Sequence, residues 1–170
     1  DYVVSKIPRF PFDKFVTANR RLGTQMKATG EVMALGRTYE EALLKSVRCL
    51  EVGLFHLELP AFRDKPITEI TDKILKQDDE RLFAISEGLR AGMTSKEINR
   101  LTKMDFFFLN KIEKIIAMEK LVAKDGKTVD TIRAAKKMGF SDIYLSKLLN
   151  IPEKELYDWR KKNGITPVFK

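Results

Sequence analysis

The hydrophobic period of this chain changes once, near residue 38, and that change fixes the class of fold it can adopt. Upstream of it, Tyr2-Val3-Val4-Ser5-Lys6-Ile7 is rich in β-branched and aromatic residues, and Pro8 and Pro11 forbid an ordinary helix interior. A second candidate strand, Glu31-Val32-Met33-Ala34-Leu35, lies between Gly30 and Gly36. Short strands are stable only in a larger sheet or against a helix. Residues 1–36 therefore read as an extended arm with one or two short strands, which either pair with each other or both belong to a sheet outside this chain.

Downstream, apolar residues recur at three- and four-residue steps. Thr38 and Glu41 have capping-box spacing, and Tyr39, Ala42, Leu43, Val47 and Leu50 form one stripe on a helix expected to end near Gly53. An irregular segment, Leu54 to Lys65, carries Leu57, Leu59 and Phe62 around Pro60. Short amphipathic helices are expected from Thr68 and from about Asp79, the latter stopping at Gly92, and a third behind the capping-box pair Thr94 and Glu97. Asp105 can cap the longest and most apolar helix, whose stripe is Phe108, Ile112, Ile115, Ile116, Met118, Leu121 and Val122. Three units finish the chain: 129–138 ending at Gly139, 142–149, and a helix opening at Pro152 and stopped by Gly164 and Pro167. The fold class is all-α, preceded by the extended arm.

With 44% apolar and 33% charged residues, the 170-residue chain has the balance of a globular protein of one domain or two small ones. No apolar run approaches the roughly 18 to 20 residues that span a bilayer, and the polar start lacks a signal peptide's regions, so a cytoplasmic location without membrane contact is expected. A single cysteine excludes an internal disulfide framework and a multi-cysteine zinc site. The net charge of +8 is uneven: residues 1–57 carry +3, 58–123 carry 0 and 124–170 carry +5. Such an excess governs solubility and encounter rates without specifying a partner.

Groups that could carry chemistry are few. The sole histidine, His56, has no nucleophile motif around it and reads as a partly buried or surface residue. Cys49, near the end of an amphipathic helix, reads as a small packed side chain. The nine glycines stand singly, which excludes a P-loop or dinucleotide fingerprint, and Asp78-Asp79-Glu80 is best explained as favourable charge at a helix start. One alternative function has a local outline. Residues 140–149, the turn Asn150-Ile151-Pro152 and the helix from Glu153 to Lys162 form a helix-turn-helix pattern in which Lys154, Arg160, Lys161 and Lys162 could meet DNA. Glu153, Glu155 and Asp158 on the same helix would repel phosphate, so nucleic acid is the less favoured partner.

Longer runs carry a resemblance. Lys6-Ile7-Pro8-Arg9-Phe10-Pro11-Phe12-Asp13-Lys14-Phe15, then Gln25-Met26-Lys27-Ala28-Thr29-Gly30-Glu31-Val32-Met33-Ala34-Leu35-Gly36-Arg37, closely resemble the large chain of carbamoyl-phosphate synthase. The likeness continues through Glu40 to Lys45, Arg48 to Glu51, Asp79 to Phe83, Arg90-Ala91-Gly92, Leu101-Thr102, Asp105, Phe108-Leu109, Lys137 to Asp142 and Thr166 to Lys170. Departures are mild: Ala28-Thr29 replaces the usual Ser-Val, and Met104 and Phe107 stand where the family favours Ile and Trp.

The resemblance implies that residues 1–36 close the first of two ATP-grasp synthetase units and that 37–170 form the helical connection, or oligomerisation, domain between them, built of two small helical subdomains. It implies a fragment, in keeping with a start at Asp1 rather than Met. The parent would be an ATP-dependent ligase making carbamoyl phosphate from bicarbonate, glutamine-derived ammonia and two ATP, for arginine and pyrimidine biosynthesis. No catalytic, cofactor-binding or metal-binding residue of the family maps onto this chain; ATP with Mg or Mn would belong to the parent. Implied partners are the flanking synthetase units, a second large chain and, in the parent complex, a small glutaminase subunit. Leu50, Leu54, Phe55 and Phe62 are the candidate interface residues, the other reading being that they close the core.

Overall fold

A computed structural model describes residues 1–167; Val168-Phe169-Lys170, the end of the last resembling run, lies outside the described residues. The arm does fold on itself. Strand β1 (Val3–Arg9) pairs antiparallel with β2 (Gly30–Gly36), with Val3 opposite Gly36 and Ile7 opposite Val32. Alternation along the strands turns Ser5 and Ala34 inward against helix α1 (Tyr39–Cys49), while Val4, Met33 and Leu35 stand on the outer, uncovered face. Ser46 of α1 donates through Oγ to Ser5 O at 3.2 Å, tying helix to sheet. The close packing depends on Gly36: a Cβ there would lie 2.7 Å from the backbone N of Ala42.

The remaining helices among the described residues are α2 (Ile67–Leu75), α3 (Arg81–Arg90), α4 (Ser95–Thr102), α5 (Phe106–Asp125), α6 (Val129–Lys137), α7 (Asp142–Leu149) and α8 (Glu153–Lys162), with a 3-10 turn at Pro60–Phe62. The fold is thus mostly helical with a short two-stranded sheet at its start. Helix α5 packs on α1, α3, α4, α6 and α7 and is the centre of the body. Its Leu109, Ile112, Ile115, Ile116 and Val122 are buried in one apolar cluster with Leu44, Ile70, Ile85, Ile98, Ile132 and Leu145 from the helices around it.

Side-chain caps set the starts. Thr94 and Glu97 form a full capping box, and Asp105, Thr128 and Ser141 each accept a first-turn N–H. At α1 only half of the box forms: Thr38 accepts from Glu41 N, but the Glu41 carboxylate takes the N–H of Arg37 instead. That helix stops at Cys49, short of Gly53, because Glu51 already has a positive φ of 55°. Helix α3 begins at Arg81 rather than near Asp79. Asp78 Oδ1 accepts from Glu80 N to make a tight turn, and the neighbouring carboxylates face the arm: Arg20 binds Asp79 through two bonds of 2.9 and 2.7 Å and reaches Glu80 at 2.9 Å. The acidic run therefore anchors the arm to the helical body as well as preceding a helix.

Candidate functional site

Two buried charged clusters stand out, and both join elements far apart in sequence. The first forms where the loop after α1 crosses α3, α5 and α7. Glu119 occupies the next position in the buried stripe of α5 after Ile112, Ile115 and Ile116, so the helix carries a carboxylate into the core. Arg90, at the end of α3, meets it with Nε on Oε2 and Nη2 on Oε1, both at 2.8 Å. The same Nη2 also donates to Leu57 O at 2.8 Å, and Nη1 to Glu87 at 3.0 Å. His56, only 1% exposed, donates from Nε2 to Glu119 Oε1 at 2.8 Å. Its ring stacks on Tyr144 of α7 at 3.8 Å and 12°, with Phe140 4.6 Å away.

The electrostatics follow from burial and pairing. Burial pushes the Glu119 carboxyl up, but the bonds from Arg90 and His56 outweigh it and hold the group below the usual carboxylate range. For His56 burial prevails over the Glu119 contact, and its pKa lies below the ordinary 6.5. The imidazole is therefore neutral at pH 7, with its proton on Nε2, and Nδ1 bears a lone pair that has no partner among the described residues. Burial, then the charge of Glu119, raises the Tyr144 phenol and keeps it protonated.

Beside His56 lies a cleft of about 110 Å³ between the 53–60 loop and α7. Leu54, Phe55, Ile143 and Tyr144 give it apolar walls. At its border Glu58 accepts from Lys147 and Arg63, each at 2.6 Å, and Lys147 Nζ lies 5.7 Å from the centre of the Tyr144 ring.

The second cluster locks the last three helices. Arg160 of α8, 5% exposed, binds Asp142 at the start of α7 through Nε at 3.1 Å and Nη2 at 2.6 Å, and caps Ile165 O. Lys136 of α6 approaches the other oxygen of Asp142 at 2.9 Å. Burial raises the Asp142 carboxyl, and the bonds from Arg160 and Lys136 more than reverse this, leaving it below its usual value. The helix-turn-helix outline is thus present as α7, a turn at Asn150 with φ of 51°, and α8. Arg160, however, is consumed internally, and Lys154 pairs with Asp158 at 3.1 Å.

The sequence-derived interface residues divide. Phe62 is 4% exposed, because the turn begun at Pro60 points it into the core under Lys73; it belongs to the packing reading and is withdrawn from any surface. Leu50 and Leu54 are half-buried, and Phe55 is 44% exposed. Two other expectations are corrected. His56 is fully buried and bonded, since the loop folds down onto α5. Cys49 is exposed rather than packed, because the inner stripe of α1 runs through Leu43, Leu44 and Val47 and leaves position 49 on the far side. Sequence reasoning missed Glu119 and Arg90 as a pair; the available signal was a carboxylate in register with the Ile112, Ile115, Ile116 and Val122 stripe. Among the described residues no cluster of three or more His, Cys, Asp or Glu side chains could hold a metal ion, and no helix is long and apolar enough to cross a membrane.

This arrangement ties together helices that lie far apart in the sequence. Residues 31–164 match the family model of the carbamoyl-phosphate synthetase large chain, oligomerisation domain. The chain belongs to this family. The match begins at Glu31 in β2 and ends at Gly164 just beyond α8, so it takes in helices α1 to α8 together with the second strand from Glu31 onward. Both buried ion clusters fall inside it. An oligomerisation domain implies contact with other chains of a complex, and the half-buried and exposed apolar residues of the 50–55 segment lie within the matched range.

Proposed function

We propose that the chain serves as a non-catalytic structural and oligomerisation element of a glutamine-hydrolysing carbamoyl-phosphate synthase large chain. The observation that carries this reading is the family match across the whole helical body. The parent makes carbamoyl phosphate from bicarbonate, glutamine-derived ammonia and two ATP, with Mg or Mn at nucleotide sites elsewhere in that protein, and supplies arginine and pyrimidine biosynthesis in the cytoplasm. A small subunit hydrolyses the glutamine.

In this reading residues 1–36 are the closing segment of the first synthetase unit, and residues 37–170 connect it to the second. The outer face of the β1–β2 ladder, where Val4, Met33 and Leu35 are exposed beside the Lys6–Glu31 ion pair, supports that placement, since a two-stranded sheet with exposed apolar side chains is suited to packing on further structure. Helices α2 to α4 and α6 to α8, on different neighbours of α5, correspond to the two subdomains. Leu54 and Phe55, with Leu50 behind them, supply a self-association surface.

The test is the mass of the purified chain by sedimentation over a concentration series. The expected result is a concentration-dependent dimer weakened by Leu54→Glu and by Phe55→Glu. A strict monomer at every concentration would overturn self-association and leave a connector role alone.

A further inference from the structure

The Nε–Nη2 edge of an arginine is a planar fork that fits the oxygens of one carboxylate or phosphate. Three arginines of this fold place that edge on a carboxylate: Arg20 on Asp79 at 2.9 and 2.7 Å, Arg90 on Glu119 at 2.8 Å for both nitrogens, and Arg160 on Asp142 at 3.1 and 2.6 Å. Arg48, in the last turn of α1, does not. Its Nη1 donates to Gly139 O at 2.7 Å, and its Nε and Nη2 have no acceptor among the described residues. Neither donor is sealed, since the side chain is half-buried and the buried atoms that lack a partner lie on other residues.

The surroundings are short of negative charge. Lys136 Nζ donates to Phe140 O at 2.8 Å, so the two cations sit on consecutive carbonyls of the turn between α6 and α7. The neighbouring carboxylates are already taken: Asp142 by Arg160 and Lys136, and Glu41 by Lys45 and the Arg37 N–H. Burial holds the Arg48 guanidinium below its ordinary value, whereas Arg20, bonded to Asp79, is raised. Burial likewise lowers Lys136, and the charges of Arg160 and Arg48 add to that.

We propose that the open Nε–Nη2 edge of Arg48, beside Lys136 on the α6–α7 turn, is a binding site for an oxyanion that presents two oxygens on one group, a carboxylate or a phosphate. The anion completes the fork as Asp79 completes that of Arg20, and Lys136 supplies further positive potential. The site uses none of the residues of the self-association surface, and its test does not depend on the mass of the chain.

Arginine Nε–H signals of the full 170-residue chain report each fork separately, and Arg48→Lys identifies the one in question by its loss. Succinate and inorganic phosphate are the probes, with sodium chloride at matched ionic strength as the control for screening. The expected result is a saturable shift of the Arg48 Nε–H signal with at least one probe, the tighter one naming the class, while the Arg90 and Arg160 signals stay fixed because their forks are filled. The same probe is expected to raise the melting temperature by mass action. Arg48→Lys keeps the charge but loses the fork, and is expected to weaken that stabilisation about tenfold in probe concentration. An Arg48 signal insensitive to both probes, a shift reproduced by chloride, or undiminished stabilisation of the lysine variant would overturn the proposal and leave Arg48 as a tie to Gly139 alone.

Discussion

His56 Nε2 and Glu119 Oε1 lie 2.8 Å apart, 63 residues apart in the chain, and both are buried. This bond fastens the irregular loop after α1 to the central helix, and Arg90 fixes its charge from a third element. A loop with three positive-φ residues, Glu51, Gly53 and Asp64, and only one 3-10 turn has little ladder bonding to hold it. Side-chain ties to α3, α5 and α7 replace the missing backbone order.

Removing one partner of the Arg90–Glu119 pair leaves the other charge uncompensated in the core. Glu119→Ala is expected to cost about 3 kcal/mol or more, or roughly 6–12 °C in melting temperature for a chain of this size. Urea unfolding of the variant measures it. A loss below about 1 kcal/mol would show that the pair is not desolvated as described.

Stability should fall in two stages as pH is lowered. The pKa of His56 lies below its unfolded value of 6.5, so protons bind the unfolded chain more readily; its contribution is complete above pH 6.5 and is lost as pH falls toward the depressed folded value. Glu119, Asp142 and Glu58 are likewise lowered, and their contributions, present above the ordinary carboxylate range, are lost at still lower pH. Melting temperatures from pH 8 to pH 3 check the order. His56→Gln is expected to remove the first stage and keep the second.

Asp142 joins α6, α7 and α8 through Lys136 and Arg160. Asp142→Ala orphans a nearly buried guanidinium and is expected to destabilise the chain by about 3 kcal/mol. Chemical denaturation measures that loss, and hydrogen exchange should show α8 opening first. Because Arg160 is internal, Arg160→Ala is expected to leave retention of the chain on a duplex-DNA column the same as that of the unaltered chain at every salt concentration; a tenfold loss of binding would place this residue in a DNA interface.

Gly139 and Gly92 share a φ of 98° but differ in surroundings. A Cβ at 139 would meet the backbone of Glu41 at 3.0 Å, whereas at 92 nothing lies within 4 Å. Gly92→Ala is expected to cost about 1–2 kcal/mol from backbone strain alone, and Gly139→Ala more, since α1 must shift. Thermal melts of the two variants side by side separate strain from crowding.

Cys49 offers a simple check of its placement. Being exposed on the far side of α1, it is expected to react fully with a thiol reagent in the native chain. Reaction only after denaturation would return it to the core.

By itself the sequence determined the helical class, the arm with its two strands, the central place of the 106–125 helix and most helix starts. These rest on local physics: hydrophobic period, caps three residues ahead of a carboxylate or an N–H, and proline or glycine at the ends, all readable within a few residues. The family was legible as well, because Glu31 to Arg37 and later runs within the matched range resemble it in residue identities and not merely in pattern. Tertiary structure alone decided the rest. Whether β1 and β2 pair, that Phe62 turns inward while Phe55 stays out, that Arg20 spends itself on Asp79 and Glu80, and that His56 is sealed between Glu119 and Tyr144 all depend on partners tens of residues away. Periodicity tells which face of a helix is buried, but a charged residue is admitted to that face only when an opposite charge or donor arrives from another element, and that meeting is a property of the packed body.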